Sequence, residues 1–446
     1  MTSHDPGTGF APDPTIDLQG SPNLIGPQLP IPHLGIKPDT KKPAWYIGAV
    51  FLGQFGLFVA LLAPVMVSMQ LKVSSLTDDP VERVSMLGMV LTGGAVAAFL
   101  FNPIGGRLSD RTIGRWGRRR PWILIGITGL TIALLVIAVG TNTLTLAIGW
   151  FIAQAFANMG YASFTASLAD QLSEEQYGKT SGLVGIAQNV GIMVATWMGS
   201  FFTTNMLLLF MVPAVIGFIA MTIYALSIPE PVLVKNKYPF NVKEFIQTFW
   251  TNPIRFPDFG LAWWGRFMII LASYLFTSFR LIYMENHLGL DTKSAAASVA
   301  LGVTIYTVCT MVSSLFAGWL SDKLGRRKVI VAAAILVFGI GTYLLLHVDS
   351  VSMFYVVEAI LGLSYGAYLA VDLALVFEVL PDRMNTGKDL GVFNMANALP
   401  QSLAPGIGGF LLANLGGGTD FTVLLMVALA AAVIGAVLTM FIRSVK

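Results

Sequence analysis

Beyond residue 44 the chain is a succession of apolar runs of about twenty residues, cut by short polar stretches. Runs of that length match the ~20 helical residues that cross ~30 Å of hydrocarbon, so the pattern predicts an all-α membrane protein with twelve transmembrane helices. Six spans fall at about 45–70, 84–105, 121–140, 144–169, 180–204 and 206–228, and six at about 260–285, 294–318, 328–347, 351–379, 388–413 and 420–442. They group into an N-terminal six-helix bundle over 45–228 and a C-terminal one over 260–446. Between them, 229–259 is polar and proline-bearing, a cytoplasmic linker. Its piece around Phe240–Trp250 fits an amphipathic helix lying in the interface as well as it fits a plain connection. Residues 1–44 hold 9 of the 22 prolines and no periodicity, and are expected to be a disordered cytoplasmic tail. No apolar stretch follows a basic start there, so no cleaved signal peptide is expected.

Charge gives the orientation. With a cytoplasmic N-terminus, the outer side holds only Lys72, Arg83, Arg280 and Lys293, leaving 23 of 27 basic residues on the cytoplasmic side. Basic residues stay preferentially on the cytoplasmic side of short loops, so both termini are expected there and the protein in a plasma membrane. Composition agrees, since 55% of residues are hydrophobic and only 11% charged, against about a quarter charged in soluble domains. Cys309 is the single cysteine, which excludes an intramolecular disulfide and a cysteine-based metal site.

Two charged loops repeat. Gly105 to Trp122 reads GGRLSDRTIGRWGRRRPW, and a shorter copy, GWLSDKLGRRK, occupies Gly318 to Lys328, an offset of 212 (318 minus 106). A second correspondence joins Gly178-Lys179 to Gly387-Lys388 at an offset of 209, which matches Gln188 with Asn397 and Gly191 with Pro400. Two like halves, each with a polar residue followed by a helix-weakening one at the same depth, point to a transporter's central site.

The two loops resemble the signature of the major facilitator superfamily of secondary transporters, through Gly106-x-Leu108-Ser109-Asp110-Arg111 and Gly318-x-Leu320-Ser321-Asp322-Lys323. The longer first copy resembles the sucrose-transporter-like and glycoside-pentoside-hexuronide branch. The resemblance implies two pseudo-symmetric six-helix bundles and a conformational latch of Gly106, Asp110, Arg111, Arg118, Gly318, Asp322 and Arg326. In it Asp110 would meet Gly387-Lys388, Asp322 would meet Gly178-Lys179, and Gly106 would let the helices approach. The latch would hold the cytoplasmic side closed. The alternative is that these basic loops only fix topology.

Polar stripes mark a candidate solute pathway. Gln154, Asn158 and Tyr161 share one helical face, as do Asn394, Asn397 and Gln401, while Gln54 and Gln188 add amides in the first and fifth spans. Amides cannot face lipid unsatisfied, so they face either other helices or a hydrated path. Tyr365 and the platform ring Trp197 complete the set.

Ionisable residues inside the spans are few, and each needs a partner. Glu358 and Asp372 lie 14 residues apart in the tenth span with Tyr365 midway, and the seventh carries Arg266 and Arg280. Depth matches Glu358 with Arg280, and Asp372 with Arg266 or another base on the cytoplasmic side, and Asp372 is the first choice for a proton-coupling carboxylate. A permanent structural ion pair is the alternative. The second span and the fourth before Asp170 lack the acidic residues that sodium-coupled glycoside carriers use, which argues against sodium; Asp170 is assigned to the surface loop. No phosphate-binding Gly-x-x-x-x-Gly-Lys loop occurs, and His4, His33, His287 and His347 have no zinc-ligand spacing. An enzyme, a cofactor, a metal and a nucleic-acid partner are therefore not expected, and a monomer suffices. The expected function is alternating-access transport of a small polar solute, a sugar or glycoside, by proton symport. A proton-coupled drug or metabolite exporter and a non-transporting solute sensor are the alternatives.

Overall fold

The computed structural model describes residues 41–229, 255–380 and 386–445. The predicted tail and linker fall mostly outside the described residues, as do the side chains of Asp322, Gly178, Gly387, Lys388 and Asn394. Twelve long helices run in chain order: α1 (Ala44–Ser74), α2 (Pro80–Arg111), α3 (Arg120–Val139), α4 (Thr143–Gln171), α5 (Glu174–Phe201), α6 (Met206–Ser227), α7 (Pro257–Thr277), α9 (Thr292–Leu324), α10 (Arg327–Leu344), α11 (Val351–Val379), α12 (Thr386–Leu415) and α13 (Thr422–Met440). One short helix, α8 (Arg280–Asn286), follows α7. Ten of the twelve are long and apolar enough to cross a bilayer; α4 and α12, which carry the amide stripes, are not among them.

Two departures from regular helix were not anticipated. A π turn at Pro64–Ser68 interrupts α1, where the proline lacks the N–H that would continue the α ladder. The seventh span, predicted as continuous over 260–285, breaks at Ser278 and Phe279, so that α8 begins its own ladder.

Helix ends divide into two faces. On the far face, Asp79, Asn142, Asn205, Asp291 and Ser350 cap the starts of α2, α4, α6, α9 and α11, and Asp420 bonds Thr422 N at the start of α13. These side chains satisfy N–H groups that have no intrahelical acceptor. On the face where α1 begins, basic residues satisfy carbonyls at the other helix ends instead. Arg120 donates to Ala225 O and Ile228 O at the end of α6, and Lys328 to Ile442 O after α13. This is the basic face.

Within the first half α1 packs on α5 and α6, α2 on α4, and α3 on α4 and α6. In the second, α7 packs on α12 and α13, α9 on α11, and α10 on α11 and α13. Small residues set the closest contacts, as expected where lipid gives helices no hydrophobic reason to associate. Gly362 and Gly366 of α11 lie against the backbone of α9 at Tyr306 and Thr310, with no room for a Cβ.

The halves join at the far face. Gly88 of α2 meets Pro405 and Gly409 of α12, where an added Cβ would lie 2.7 Å from Pro405 O. Arg83 pairs with Glu285 at 3.3 Å, Trp197 Nε1 donates to Thr304 at 2.9 Å, and Gln70 Oε1 accepts from Leu281 N and Ile282 N. Nearer the basic face, the motif glycines do not bring the halves together. Around a Cβ built at Gly106 the nearest atom is Ala162 Cβ at 3.9 Å, and at Gly318 it is Ala370 Cβ at 4.0 Å, each in the same half. The close α2–α4 contact next to it is made by Gly105, packed on Met159 of α4.

Candidate functional site

Two matching polar clusters sit at equal depth in the two halves. In the first, Gln54 Nε2 of α1 donates to Gln188 Oε1 of α5 at 3.5 Å and lies beside Tyr161 of α4. In the second, Arg266 of α7 donates Nε to Asn397 Oδ1 at 2.7 Å and Nη1 to Asp372 Oδ2 at 2.8 Å. Asp372 is almost fully buried and Arg266 nearly so. The guanidinium also lies over the Phe393 ring, 4.9 Å from its centroid, and Trp263 Nε1 donates to Val392 O alongside. Trp263 and Phe393 were missed from sequence, because nothing separates them there from ordinary apolar residues.

The rest of the α4 stripe is satisfied locally. Asn158 Nδ2 donates to Gln154 O and Gln154 Oε1, and Asn158 Oδ1 accepts from Asn102 Nδ2 at 3.4 Å. These amides hold helices together. Gln401 is half-buried, and the side chain of Asn394 is outside the described residues. Trp197, expected as a pathway platform, donates to Thr304 of α9 in the far closure.

Higher on α11, Glu358 and Arg280 form a second ion pair, Nε to Oε1 at 3.1 Å. Both side chains are buried, Glu358 completely. The pair lacks hydrogen-bond alignment, and neither carboxylate oxygen has a donor among the described residues. Arg280 instead stacks its guanidinium over Phe276 and Tyr306. Tyr306, Tyr365 and Tyr368 continue as a chain of rings about 6 Å apart toward Asp372. The Tyr368 hydroxyl, beside Asp372, makes no well-aligned bond.

On the basic face, Arg119 joins two carboxylates. It pairs with Asp110 at 2.6 Å and Asp170 at 3.0 Å, while Arg118 pairs with Asp170 at 2.7 Å. Ser109 Oγ accepts from Arg119 Nη1. Asp170, assigned from sequence to the surface loop, is instead largely buried at the end of α4, because two guanidinium groups hold it there. Asp110 is half exposed and pairs with Arg119 of its own half, while the side chains of Gly387 and Lys388, expected to meet it in the latch, lie outside the described residues. Arg111 is half-buried and Arg326 exposed.

Comparison with known proteins places this geometry. The Major Facilitator Superfamily model matches residues 44–303 and 262–446. Among curated proteins, the chain is 33% identical over 111 residues to the uncharacterized MFS-type transporter YfiU of Bacillus subtilis, covering 25% of this chain and 21% of that protein. It is 26% identical over 148 residues to the ectoine/proline transporter ProP of Corynebacterium glutamicum, covering 32% and 28%. It is 26% identical over 129 residues to the multidrug resistance protein MdtL of a Shewanella species, covering 29% and 31%. The matches thus span about a fifth to a third of these relatives. Among solved structures, a mutant of the nucleoside transporter NupG superposes with a TM-score of 0.70 at 14% identity, over 89% of this chain and 99% of that one. A D-xylose-proton symporter superposes with a TM-score of 0.68 at 14% identity, over 90% and 98%. At that identity these likenesses concern the fold alone.

Proposed function

This chain belongs to the Major Facilitator Superfamily, and we propose that it carries a small polar solute, a sugar or glycoside, across the plasma membrane by proton symport. The basic face is then cytoplasmic and the far face external, as the Lys and Arg distribution favours. Among the described residues the halves close at the far face, which fits one state of an alternating-access cycle, open toward the cytoplasm. Gln54, Tyr161 and Gln188 in one half, with Arg266, Asp372 and Asn397 in the other, offer hydroxyl-binding donors and acceptors.

Glu358 carries the coupling proposal. A wholly buried carboxylate with one misaligned guanidinium and no donor has two accessible arrangements: ionised against Arg280, or protonated with Arg280 turned to its aromatic neighbours. Asp372, held by a charge-assisted bond at 2.8 Å, has a stronger reason to remain paired. The sugar class rests on the resemblance of the first basic loop to glycoside carriers and on the amide-rich clusters. An exporter is the second reading, supported by the aligned segment of the multidrug resistance protein.

Proteoliposomes with a pH-sensitive dye test this. Addition of a transported sugar should alkalinise the outside with wild type, and Glu358→Gln should abolish that signal while solute exchange without a gradient persists. Sugar uptake without proton movement would refute symport, and toxic-compound efflux without sugar uptake would replace the reading with export.

A further inference from the structure

Gln70 is a fully buried amide at the far end of α1, two residues past the π turn. Its Nε2 donates to Met66 O at 2.9 Å, which fixes the side chain. Its Oε1 accepts from Leu281 N at 3.1 Å and Ile282 N at 3.3 Å. Those are the second and third residues of α8, and Phe279 before them supplies no side-chain cap. The first turn of a helix in the second half is therefore capped from the first half, 211 residues away. The first residue of that turn is Arg280, the partner of Glu358.

The other end of α8 is tied to the first half as well, through Glu285 and Arg83. A seven-residue helix separated from α7 by a break is thus held by the opposite half at both ends. Such a piece can shift without dragging the whole seventh span with it.

We propose that Gln70 is the latch through which the Glu358–Arg280 pair controls the far closure. This rests on the reading of Glu358 as the proton site. With Glu358 ionised, Arg280 anchors the first turn of α8 and its N–H groups stay aimed at Gln70 Oε1. When Glu358 takes up a proton, Arg280 loses its counter-charge, the turn loosens, and the two bonds to Gln70 are released. The halves then part at the far face, where Gly88 and Gly409 otherwise touch. Conversely, parting of the halves uncaps α8 and frees Arg280 to leave Glu358. Opening and protonation therefore favour each other.

The test uses the full chain with Cys309→Ser and spin-labelled cysteines at Asp78 and Asp349, exposed on far-face connections of the two halves. Distances are read by pulsed electron resonance in nanodiscs, without solute. Wild type at alkaline pH should show mainly the short distance. Gln70→Met, similar in length but without the acceptor, should raise the long-to-short ratio by about tenfold, the order expected for two ordinary hydrogen bonds. Glu358→Gln should raise it too, and Gln70→Glu, which keeps an acceptor, should retain the short distance. Leu281→Pro removes one donor at a first-turn position where proline is tolerated, and should act like Gln70→Met if that variant does not fold. A wild-type distribution in both acceptor and donor variants would overturn the latch. Opening by Gln70→Met with no response to Glu358→Gln would overturn its link to the ion pair. Failure of Glu358 as the proton site would appear separately, as pH-driven uptake that survives Glu358→Gln.

Discussion

Arg266 donates to Asn397 in the second half at the place where Gln54 reaches Gln188 in the first. The offsets are 212 (266 minus 54) and 209 (397 minus 188), those of the repeated loops and repeated helix starts. The third members, Tyr161 and Asp372, are offset by 211 (372 minus 161). One arrangement of three helices thus appears twice, neutral in one half and ionic in the other. Symmetry supplies the geometry, while the Gln/Arg and Tyr/Asp differences confine the charge to one side.

That asymmetry makes the Arg266–Asp372 pair sensitive to single changes. Asp372→Asn alone leaves a buried guanidinium short of its counter-charge, which costs about 3–5 kcal/mol where a buried pair is broken. Arg266→Gln with Asp372→Asn recreates the neutral composition of the first half and should recover much of that loss. Melting temperatures in detergent for the two singles and the double give the coupling directly. Additive losses would show that the pair carries no structural weight.

The two adjacent glycines of the first signature loop should behave differently. Gly105→Ala forces a Cβ into the backbone of Met159, and overpacking of this kind costs about 1–3 kcal/mol. Gly106→Ala meets only Ala162 Cβ at 3.9 Å and should fold like wild type. If the basic-face latch closes during the cycle, Gly106→Ala should slow transport without lowering the melting temperature. Equal destabilisation by both would contradict the packing described here.

Much of this was legible in the chain. Ten of the twelve long helices follow from the length of their apolar runs, while α4 and α12 carry amide stripes that dilute theirs, and the halves follow from two repeats. The pair Arg280–Glu358 follows from depth, because a charge in hydrocarbon has few partners to choose among, while for Asp372 depth leaves Arg266 one of several bases and the structure selects it. What stayed hidden depends on where helices cross or bend. Gln70 reads as one polar residue near the end of an apolar run, and only the break at Ser278 and Phe279 gives it two N–H groups to cap. The bond of Trp197 to Thr304 depends on the approach of α5 to α9, which no spacing in the chain announces. The repeat singles out Gly106 over Gly105, but only the rotation of α2 shows that Gly105 is the one packed on α4.

Closure at the far face should respond to pH through Glu285, which lies on the connection between α7 and α9. Burial raises its pKa above the ordinary carboxylate value, against the opposing effects of the Thr292 hydroxyl and Arg83. Opening of the far face would expose Glu285 and return it toward ~4.3. The closed form then binds the proton more tightly than the open one. Closure should accordingly strengthen as external pH falls through the raised value toward the ordinary one, and weaken again as pH rises, although protonation removes the charge facing Arg83. The sign is opposite to that of a simple salt-bridge lock, because desolvation outweighs the pairing. In the Cys309→Ser chain, external alkylation of a cysteine placed at Gln188, two to three turns deeper on α5 than the closure residue Trp197, should slow on acidification when Glu358 is already replaced by Gln. Adding Glu285→Gln should flatten that dependence. Faster alkylation at lower pH in the Glu358→Gln background would mean that Arg83 dominates and the closure is an ordinary ion-pair lock.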